Sequence, residues 1–142
     1  MARRLSPEAQ RSLQALRRGM IHDLPAMLKN EMIGAVDEEA AALVDLMKSV
    51  APVDQDASNG APPGTLRDSH NYILMERGLR AVIKAGSGID YAIHVEQGTK
   101  HAPAHSWFWP SYRLRKTAIR RRLAKGVSKA VRFWNMNGRP AR

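Results

Sequence analysis

The sequence predicts an α+β domain, in which a long N-terminal helix and a basic C-terminal helix pack on a small antiparallel β-sheet. Apolar residues recur at helical spacing over residues 23–50 and again over residues 111–134. Two short runs rich in β-forming residues lie between them. With 142 residues, 44% of them hydrophobic, the chain can form one domain with its own core. We assign residues 1–22 to an arm and a short helix, 23–134 to the domain, and 135–142 to a flexible basic tail.

Start and stop signals near the N-terminus predict two successive helices. Ser6 is a good N-cap, and Pro7 suits the first helical position. Gly19 is then expected to end the first helix as its C′ residue. A second helix is expected to start at Asp23 and to stop before Pro52, because a proline pushes the preceding residue out of the α region.

The middle of the chain predicts a loop followed by a β-hairpin. Residues 53–64 consist almost throughout of turn-forming residue types. Residues 65–75 and 79–84 are expected to be strands joined by a turn at residues 76–78. The apolar run at residues 91–96 fits a strand or one helical turn, and the sequence leaves both open.

The last predicted helix begins directly after Pro110 and carries most of the positive charge. Residues 1–96 hold eleven Lys or Arg and all thirteen Asp or Glu, a net charge of −2. Residues 97–142 hold twelve Lys or Arg and no acidic residue, a net charge of +12. This distribution favours a negatively charged neighbour, which could be nucleic acid, an acidic protein surface or another subunit.

Composition narrows the classes of protein to consider. The chain has no cysteine, so it has no disulfide framework or thiolate metal site, and a reducing intracellular setting is expected. No secretion signal is visible, and no apolar run approaches the roughly 18 residues of a membrane span. We therefore expect no membrane partner.

Three histidines are the strongest candidates for chemistry, yet we expect them to be ordinary loop or interface residues. His94, His101 and His105 could bind zinc together with Glu96. A glycine turn and Pro103 interrupt the segment, so His101 and His105 need not share a helical face. The chain also lacks a Gly-x-Ser-x-Gly nucleophile motif. We expect no enzymatic activity, no metal and no cofactor.

Aromatic residues are concentrated between residues 91 and 110. Trp107, Phe108 and Trp109 are consecutive, and Tyr91 opens the segment. Three consecutive aromatic side chains cannot all point the same way in regular structure, so we expect at least one in the core and another at a surface. At that surface it could anchor a neighbouring subunit or stack on a base.

The basic last helix offers a set of contacts for an anionic partner. The candidate residues are Arg113, Arg115, Arg120, Arg121, Arg122 and Lys125. If the partner is nucleic acid, each phosphate contact adds close to one unit of salt dependence. The alternatives are a solvated face balanced by acidic residues of this fold or of a neighbouring subunit, and an assembly interface, where arginine is common. No base-reading motif is visible, so sequence-specific DNA recognition is not expected.

Three motifs in order resemble a family of phage tail components. Residues 47–54 (MKSVAPVD) and 64–69 (GTLRDS) resemble the signature APVDTG-x-LRDS. Residues 91–99 (YAIHVEQGT) resemble a second signature, YA-x-x-VE-x-GT, and residues 102–111 (APAHSWFWPS) resemble the closing A-x-PF-x-x-PA. The chain is thus similar, over about residues 40–125, to neck or tail-completion proteins of long-tailed phages.

The sequence departs from that pattern in two places. Residues 55–63 look like an insertion between the two halves of the first signature. The Pro-Phe pair is replaced by the bulkier sequence HSWFW at residues 105–109. Neither departure removes a catalytic group, because the family is not known for one.

The resemblance implies a small α+β subunit of a homo-oligomeric ring, with a hexamer expected, at the head–tail junction or the top of the tail. The protein would be made in the host bacterial cytoplasm and built into the virion beside other neck and tail proteins, such as an adaptor or stopper and the tail tube. Arg67, Asp68 and Glu96 would form a structural ion pair or turn brace. Tyr91 and the aromatic residues 107–109 would brace the fold or the subunit interface.

Charge and residue types support further expectations about partners and alternative functions. An acidic or neutral first part and a basic last helix would give ring neighbours surfaces of opposite sign. Non-specific contact with packaged DNA is a related expectation. The alternative function is a small basic nucleic-acid-binding protein that contacts phosphates through the last helix. A third hypothesis, a metalloenzyme, would depend on His94, His101 and His105.

Overall fold

A computed structural model of the chain, which describes residues 6–53 and 60–137, confirms the α+β class. Its helices are α1 (Pro7–Arg18), α2 (Leu24–Val50), α3 (Thr65–Asp68), α4 (Ala92–Gln97) and α5 (Phe108–Asn137). Its strands are β1 (Asn71–Met75) and β2 (Arg80–Lys84), which pair as an antiparallel hairpin. Helix α5 packs along α2, and the hairpin also lies against α2.

Helices α1 and α2 form one continuous helix, so the expected stop at Gly19 is wrong. Gly19 has right-handed helical angles (φ −59°, ψ −42°), and Gly19–Asp23 form a single π-helical turn. Pro25 cannot donate to the carbonyl of Ile21, and its ring would crowd that carbonyl in a regular α-helix. A wider π turn at this position accommodates the proline without ending the helix.

Of the other three predicted ends of the first two helices, two are confirmed and one is wrong. The hydroxyl of Ser6 accepts the N–H of Ala9 at 3.2 Å, which confirms the N-cap. Asp23 has helical angles and makes no capping hydrogen bond, so the second start is wrong. The stop before Pro52 is confirmed, because Ala51 turns to an extended conformation (ψ 134°).

The first predicted strand is wrong over residues 65–70, where the chain makes the helical turn α3 instead. Gly64 has a positive φ of 85°, and its carbonyl accepts the N–H of Asp68 at 2.9 Å. The hydroxyl of Thr65 donates to the carbonyl of Pro62 at 2.5 Å. These local bonds close a turn, so pairing begins only at Asn71.

The hairpin itself is confirmed, including its turn. Glu76, Arg77 and Gly78 all have positive φ, and a Cβ on Gly78 would lie 2.9 Å from a side-chain carbon of Ile33. The register places Tyr72 opposite Ile83. Both strands contact α2, and the turn packs close to the same helix at Ile33.

The structure is helical at two places where the sequence left the element type or its boundary open, residues 91–96 and the described end of the chain. Residues 91–96 are helical, not a strand, since α4 covers most of them. Helix α5 begins at Phe108, before the predicted start after Pro110. It continues to Asn137, so the predicted tail is helical at residues 135–137, and residues 138–142 lie outside the described residues.

The core lies where α2, α3 and the start of α5 meet. The buried cluster consists of Leu43, Met47, Ala51, Leu66 and Trp107. Within residues 6–53 and 60–137, the structure contains no helix long and apolar enough to cross a membrane. The first five residues and residues 54–59, which include part of the expected insertion, lie outside the described residues.

Candidate functional site

The carboxylate of Glu96 closes the N-terminus of α5. Its Oε2 accepts the backbone N–H of Trp107 at 2.8 Å and of Phe108 at 3.1 Å, and its Oε1 accepts that of Trp109 at 3.3 Å. Amides at a helix start have no partner within the helix, and a negative charge there also faces the positive end of the helix dipole. Glu96 therefore fixes where α5 starts, ahead of Pro110.

The loop between α4 and α5 depends on the glycine and threonine of the same motif. Gly98 has φ 78° and ψ 174°, and a Cβ there would lie 2.8 Å from the backbone nitrogen of Ala104. Only glycine fits such a position. The hydroxyl of Thr99 accepts the N–H groups of His101 at 3.2 Å and Ala102 at 3.1 Å. The Glu-x-Gly-Thr pattern thus caps a helix, permits a turn and closes a loop.

A buried hydrogen bond joins Trp107 to His70. The indole N–H donates to Nε2 of His70 at 2.7 Å, and the exposed fractions of the two residues are only 3% and 2%. The indole can only donate, so Nε2 accepts and the proton of the neutral imidazole lies on Nδ1. Nδ1 donates to the carbonyl of Arg67 at 2.9 Å. His70 therefore links α3 to the start of α5.

Ser69 makes a second link from the same motif. Its hydroxyl donates to the carbonyl of Leu66 at 2.6 Å and accepts the N–H of Gly86 at 2.9 Å. A Cβ on Gly86 would lie 2.3 Å from that of Ala92, so glycine is required for this approach. Ser69 therefore holds the end of the hairpin against α3, and Gly86 lets it approach α4.

Arg67 and Asp68 form an exposed ion pair with each other, with Nε 2.9 Å from Oδ1. The hydrogen bond from Arg67 holds the pKa of Asp68 below its ordinary value. Among the described residues, Arg67 is not paired with Glu96, which caps α5 instead. The expected single brace is therefore two separate contacts.

The aromatic residues divide between core and surface, as the sequence predicts. Trp107 is buried, Phe108 is half-buried, and Trp109 is 54% exposed. Trp109 makes edge-to-face contacts with Phe108 and Tyr112, at ring-centroid distances of 5.5 and 6.4 Å. Tyr91 is half-buried against the core cluster. The result is an aromatic patch at the surface beside the start of α5.

Three basic residues of α5 pair with carboxylates of α2. Arg115 contacts Glu39 at 2.5 Å, and Lys129 contacts Glu31 at 2.9 Å. The third pair joins Arg122 to Glu38. For these three residues the alternative of a basic face balanced by acidic residues of the same fold is confirmed.

Most of the remaining charge of α5 lies on its outward side, and Lys125 also lines a cleft between α5 and α2. Within residues 6–53 and 60–137, no ion pair forms to Arg113, Lys116, Arg120, Arg121, Lys125 and Arg132. All six are exposed. From the first to the last of them the helix rises about 28 Å at 1.5 Å per residue. This basic face is the site available to an anionic partner.

The candidate metal ligands are not gathered into a site. His94, His101 and His105 are all exposed. The part of the chain that the structure describes contains no group of three or more His, Cys, Asp or Glu side chains placed to hold a metal ion. Glu96 is occupied with the amides of α5.

An apolar groove opens between α2, β2 and the first turns of α5. It has a volume of about 280 Å³. The lining residues include Leu43, Met47, Ile83, Trp109, Tyr112 and Ile119. Its charged lining residue, Glu39, is neutralised by Arg115. We refer to this feature as the α2–β2–α5 groove.

The sequence-based predictions missed His70 and Ser69 as bracing residues. Ser69 ends the GTLRDS motif, and His70 follows it directly, just before a strand. Their position next to this motif is the signal that could have identified them.

Comparisons of this chain with protein-family models, curated proteins and solved structures found no match.

Proposed function

We propose that this chain is a structural virion protein of a tailed phage: a neck or tail-completion subunit, of the tail-terminator type, that forms a ring at the head–tail junction or the top of the tail. The order of the three motifs supports this proposal. The roles of the motif residues also support it, because Glu96, Gly98 and Ser69 each make contacts that determine the local backbone conformation.

The observation that carries the proposal is apolar surface exposed in two separate regions. One region is the hairpin, where Ile73, Met75 and Leu79 are 45%, 48% and 44% exposed. Both outer edges of this two-stranded sheet are unpaired among the described residues, and such edges favour pairing with another chain. The other region is the aromatic patch with the α2–β2–α5 groove. A ring subunit needs two different surfaces, one for each neighbour.

The total exposed surface is consistent with assembly. The chain exposes 10730 Å², whereas a compact monomer of its 15.8 kDa mass exposes about 7300 Å². A standard interface buries about 800 Å² on each partner. Contact with two neighbours would therefore cover a large part of the difference.

The proposal is tested in the phage that encodes the chain. Deleting the gene is expected to give heads and tails that do not join, seen by electron microscopy, and the intact gene supplied in trans is expected to restore joined particles. A triple variant, H94A/H101A/H105A, should restore them equally well, which separates the structural role from a metalloenzyme. Joined particles after deletion, or purified virions without the chain, would overturn the proposal.

A second candidate function, binding of nucleic acid through phosphates, is favoured by the outward basic face of α5. Replacing Arg120 and Arg121 with Gln should lower the salt slope of DNA binding by about 1.8, or about 0.9 for each lost contact. The control replaces Arg122 and Lys129 with Gln. These two residues pair with α2 carboxylates, and the control variant loses the same net charge as the test variant. Equal slopes for both double variants would reject this function.

A further inference from the structure

Helix α1 carries an apolar stripe that the described residues of its own chain leave largely uncovered, with Leu16 half-buried. No residue of α1 is buried, and its substantial contacts among the described elements are with the π turn that continues it. Leu13 and Leu16 lie close together on one side, at a spacing of three residues, and Met20 follows one turn later. Leu13 and Met20 are 55% and 54% exposed. An amphipathic helix of this kind needs an apolar surface to cover it.

The α2–β2–α5 groove of the same chain is out of reach of α1. The two helices are continuous, and thirty residues separate Leu13 from Leu43 in the groove. At 1.5 Å per residue this is about 45 Å along the helix. Because α1 points away from its own groove, an α1 helix can enter this groove only from another copy of the chain.

The size of the groove suits the side chains of this stripe. Its volume of about 280 Å³ is nearly twice the roughly 150 Å³ of an apolar cavity that holds one benzene. It therefore has room for two side chains of the size of Leu13 and Leu16. Trp109 and Tyr112 line it and offer aromatic faces to arginine side chains that flank the stripe.

Charge also favours this occupant. Helix α1 carries Arg11, Arg17 and Arg18 against a single acid, Glu8. The α2 segment 36–47, which forms one wall of the groove, carries no lysine or arginine. Glu38 and Glu39 pair with basic residues of α5, so its available carboxylates are Asp37 and Asp45, which form no ion pair with the described residues. Asp37 accepts the hydroxyl of Tyr72, a hydrogen bond that brings no positive charge to the carboxylate.

We propose that α1 of each subunit docks into the α2–β2–α5 groove of the next copy, so that the chain assembles head to tail. This inference rests on the proposed ring and names one of its contacts. Half the lateral surface of the helix at residues 7–23, about 10 Å wide and about 25 Å long, is about 400 Å². That is half of a standard interface on one partner, and the exposed hairpin supplies further area.

Engineered cysteines test the docking in the full-length protein, because the native chain contains none. Two double variants, L13C/Y112C and L16C/Y112C, each place one cysteine on the α1 stripe and one at the groove. Under oxidation at least one of them is expected to give a ladder of covalent multimers up to the size of the ring. The control is A15C/Y112C, since Ala15 is exposed and lies about 200° around α1 from Leu13.

Native mass spectrometry of the same unoxidised proteins separates this inference from the ring itself. A ladder in a stripe variant and none in the control supports docking of α1 in the groove. A ring mass without a ladder in either stripe variant overturns the docking, because the ring then closes without α1 in the groove, and leaves the ring standing. An equal ladder in the control also overturns it. A monomer at every concentration overturns both the docking and the ring.

Discussion

Two side chains hold the first turn of α5 in place. Trp107 donates its indole N–H to His70 inside the core, and Glu96 accepts three backbone amides at the helix start. His70 lies 37 residues before Trp107 in the chain, and Glu96 belongs to α4. The position of the surface aromatic residues Trp109 and Tyr112 therefore depends on contacts made in the interior.

The buried bond is tested by replacing Trp107 with Phe. The change keeps an aromatic ring but leaves Nε2 of His70 without a donor, which costs about 1–3 kcal/mol, and the smaller side chain adds a cavity penalty. Urea unfolding followed by circular dichroism measures the loss. Trp109→Phe is the control, expected to change the unfolding free energy by less than about 0.5 kcal/mol, because Trp109 is exposed. Equal losses would contradict the role of the buried bond.

The cap is tested by replacing Glu96 with Ala. Loss of the acceptor at a helix N-terminus is expected to cost about 0.5–2 kcal/mol and to speed hydrogen exchange of the Trp107 and Phe108 amides. Glu96→Gln keeps an acceptor oxygen but removes the charge, so its loss should be smaller. Glu76→Ala, in an exposed hairpin ion pair, is the control. Unchanged exchange in Glu96→Ala would show that α5 starts without the cap.

At the residue scale, the sequence predicted types of role better than pairs of partners. The division of the aromatic residues between core and surface follows from their adjacency alone. The bond between Trp107 and His70 joins residues 37 positions apart, and no local pattern encodes such a contact. Of the three residues expected to form an ion pair or turn brace, Arg67 pairs with the adjacent Asp68, whereas Glu96 accepts the first amides of α5.

At the scale of elements, α2 is the surface on which the other elements pack. The hairpin contacts it through Tyr72, whose hydroxyl donates to Asp37 at 2.7 Å. Helix α5 crosses it at Gly126, which is buried, and a Cβ there would lie 3.6 Å from the carbonyl oxygen of Glu31. Each contact gives a separate test of how the elements pack.

The hairpin contact should depend on pH. The hydrogen bond to Asp37 raises the pKa of Tyr72 above its ordinary value of 10.0. Because the folded pKa lies above the unfolded one, the contact stabilises the fold below about pH 10 and is lost as the pH rises through the folded pKa. Asp37→Asn should lower the tyrosinate absorbance midpoint, and Asp45→Asn, a weaker influence on the same group, should lower it less. An unchanged midpoint in Asp37→Asn would refute the contact.

The helix crossing is tested by two substitutions at Gly126. Alanine makes ordinary van der Waals contacts there and should stabilise the fold by up to about 1 kcal/mol, because glycine is a poor helix former. Leucine overfills the crossing and should destabilise it by about 1–3 kcal/mol. Thermal unfolding of both variants measures the difference. A leucine variant as stable as the alanine variant would mean that the helices are not packed closely at this position.

Element types were predictable where apolar periodicity is long, as in α2 and α5. The predicted boundaries were wrong where an interaction outside the local sequence pattern determines where an element begins or ends. Helix α5 starts early because of Glu96, and Gly19 does not stop α1 because a π turn absorbs Pro25. The turn α3 was missed because its hydrogen bonds compete with strand pairing in a segment that contains strand-forming residues.

At the scale of the whole molecule, α5 combines two roles. Three of its basic side chains balance carboxylates of α2, so they connect the two long helices within one chain. Its other basic residues remain exposed, while apolar side chains are exposed on the hairpin, on α1 and beside the groove. The strong positive charge of residues 97–142 was evident from the sequence, but the pairing that uses part of it required the fold.

The mass of the purified full-length protein tests the central claim most directly. Native mass spectrometry over a range of protein concentrations is expected to show one closed oligomer, with a hexamer predicted, and negative-stain images should show rings. A substitution in the exposed hairpin, Ile73→Lys, should shift the population towards smaller species without unfolding the chain. A protein that remains a monomer at every concentration would contradict the claim that this chain is an assembling subunit.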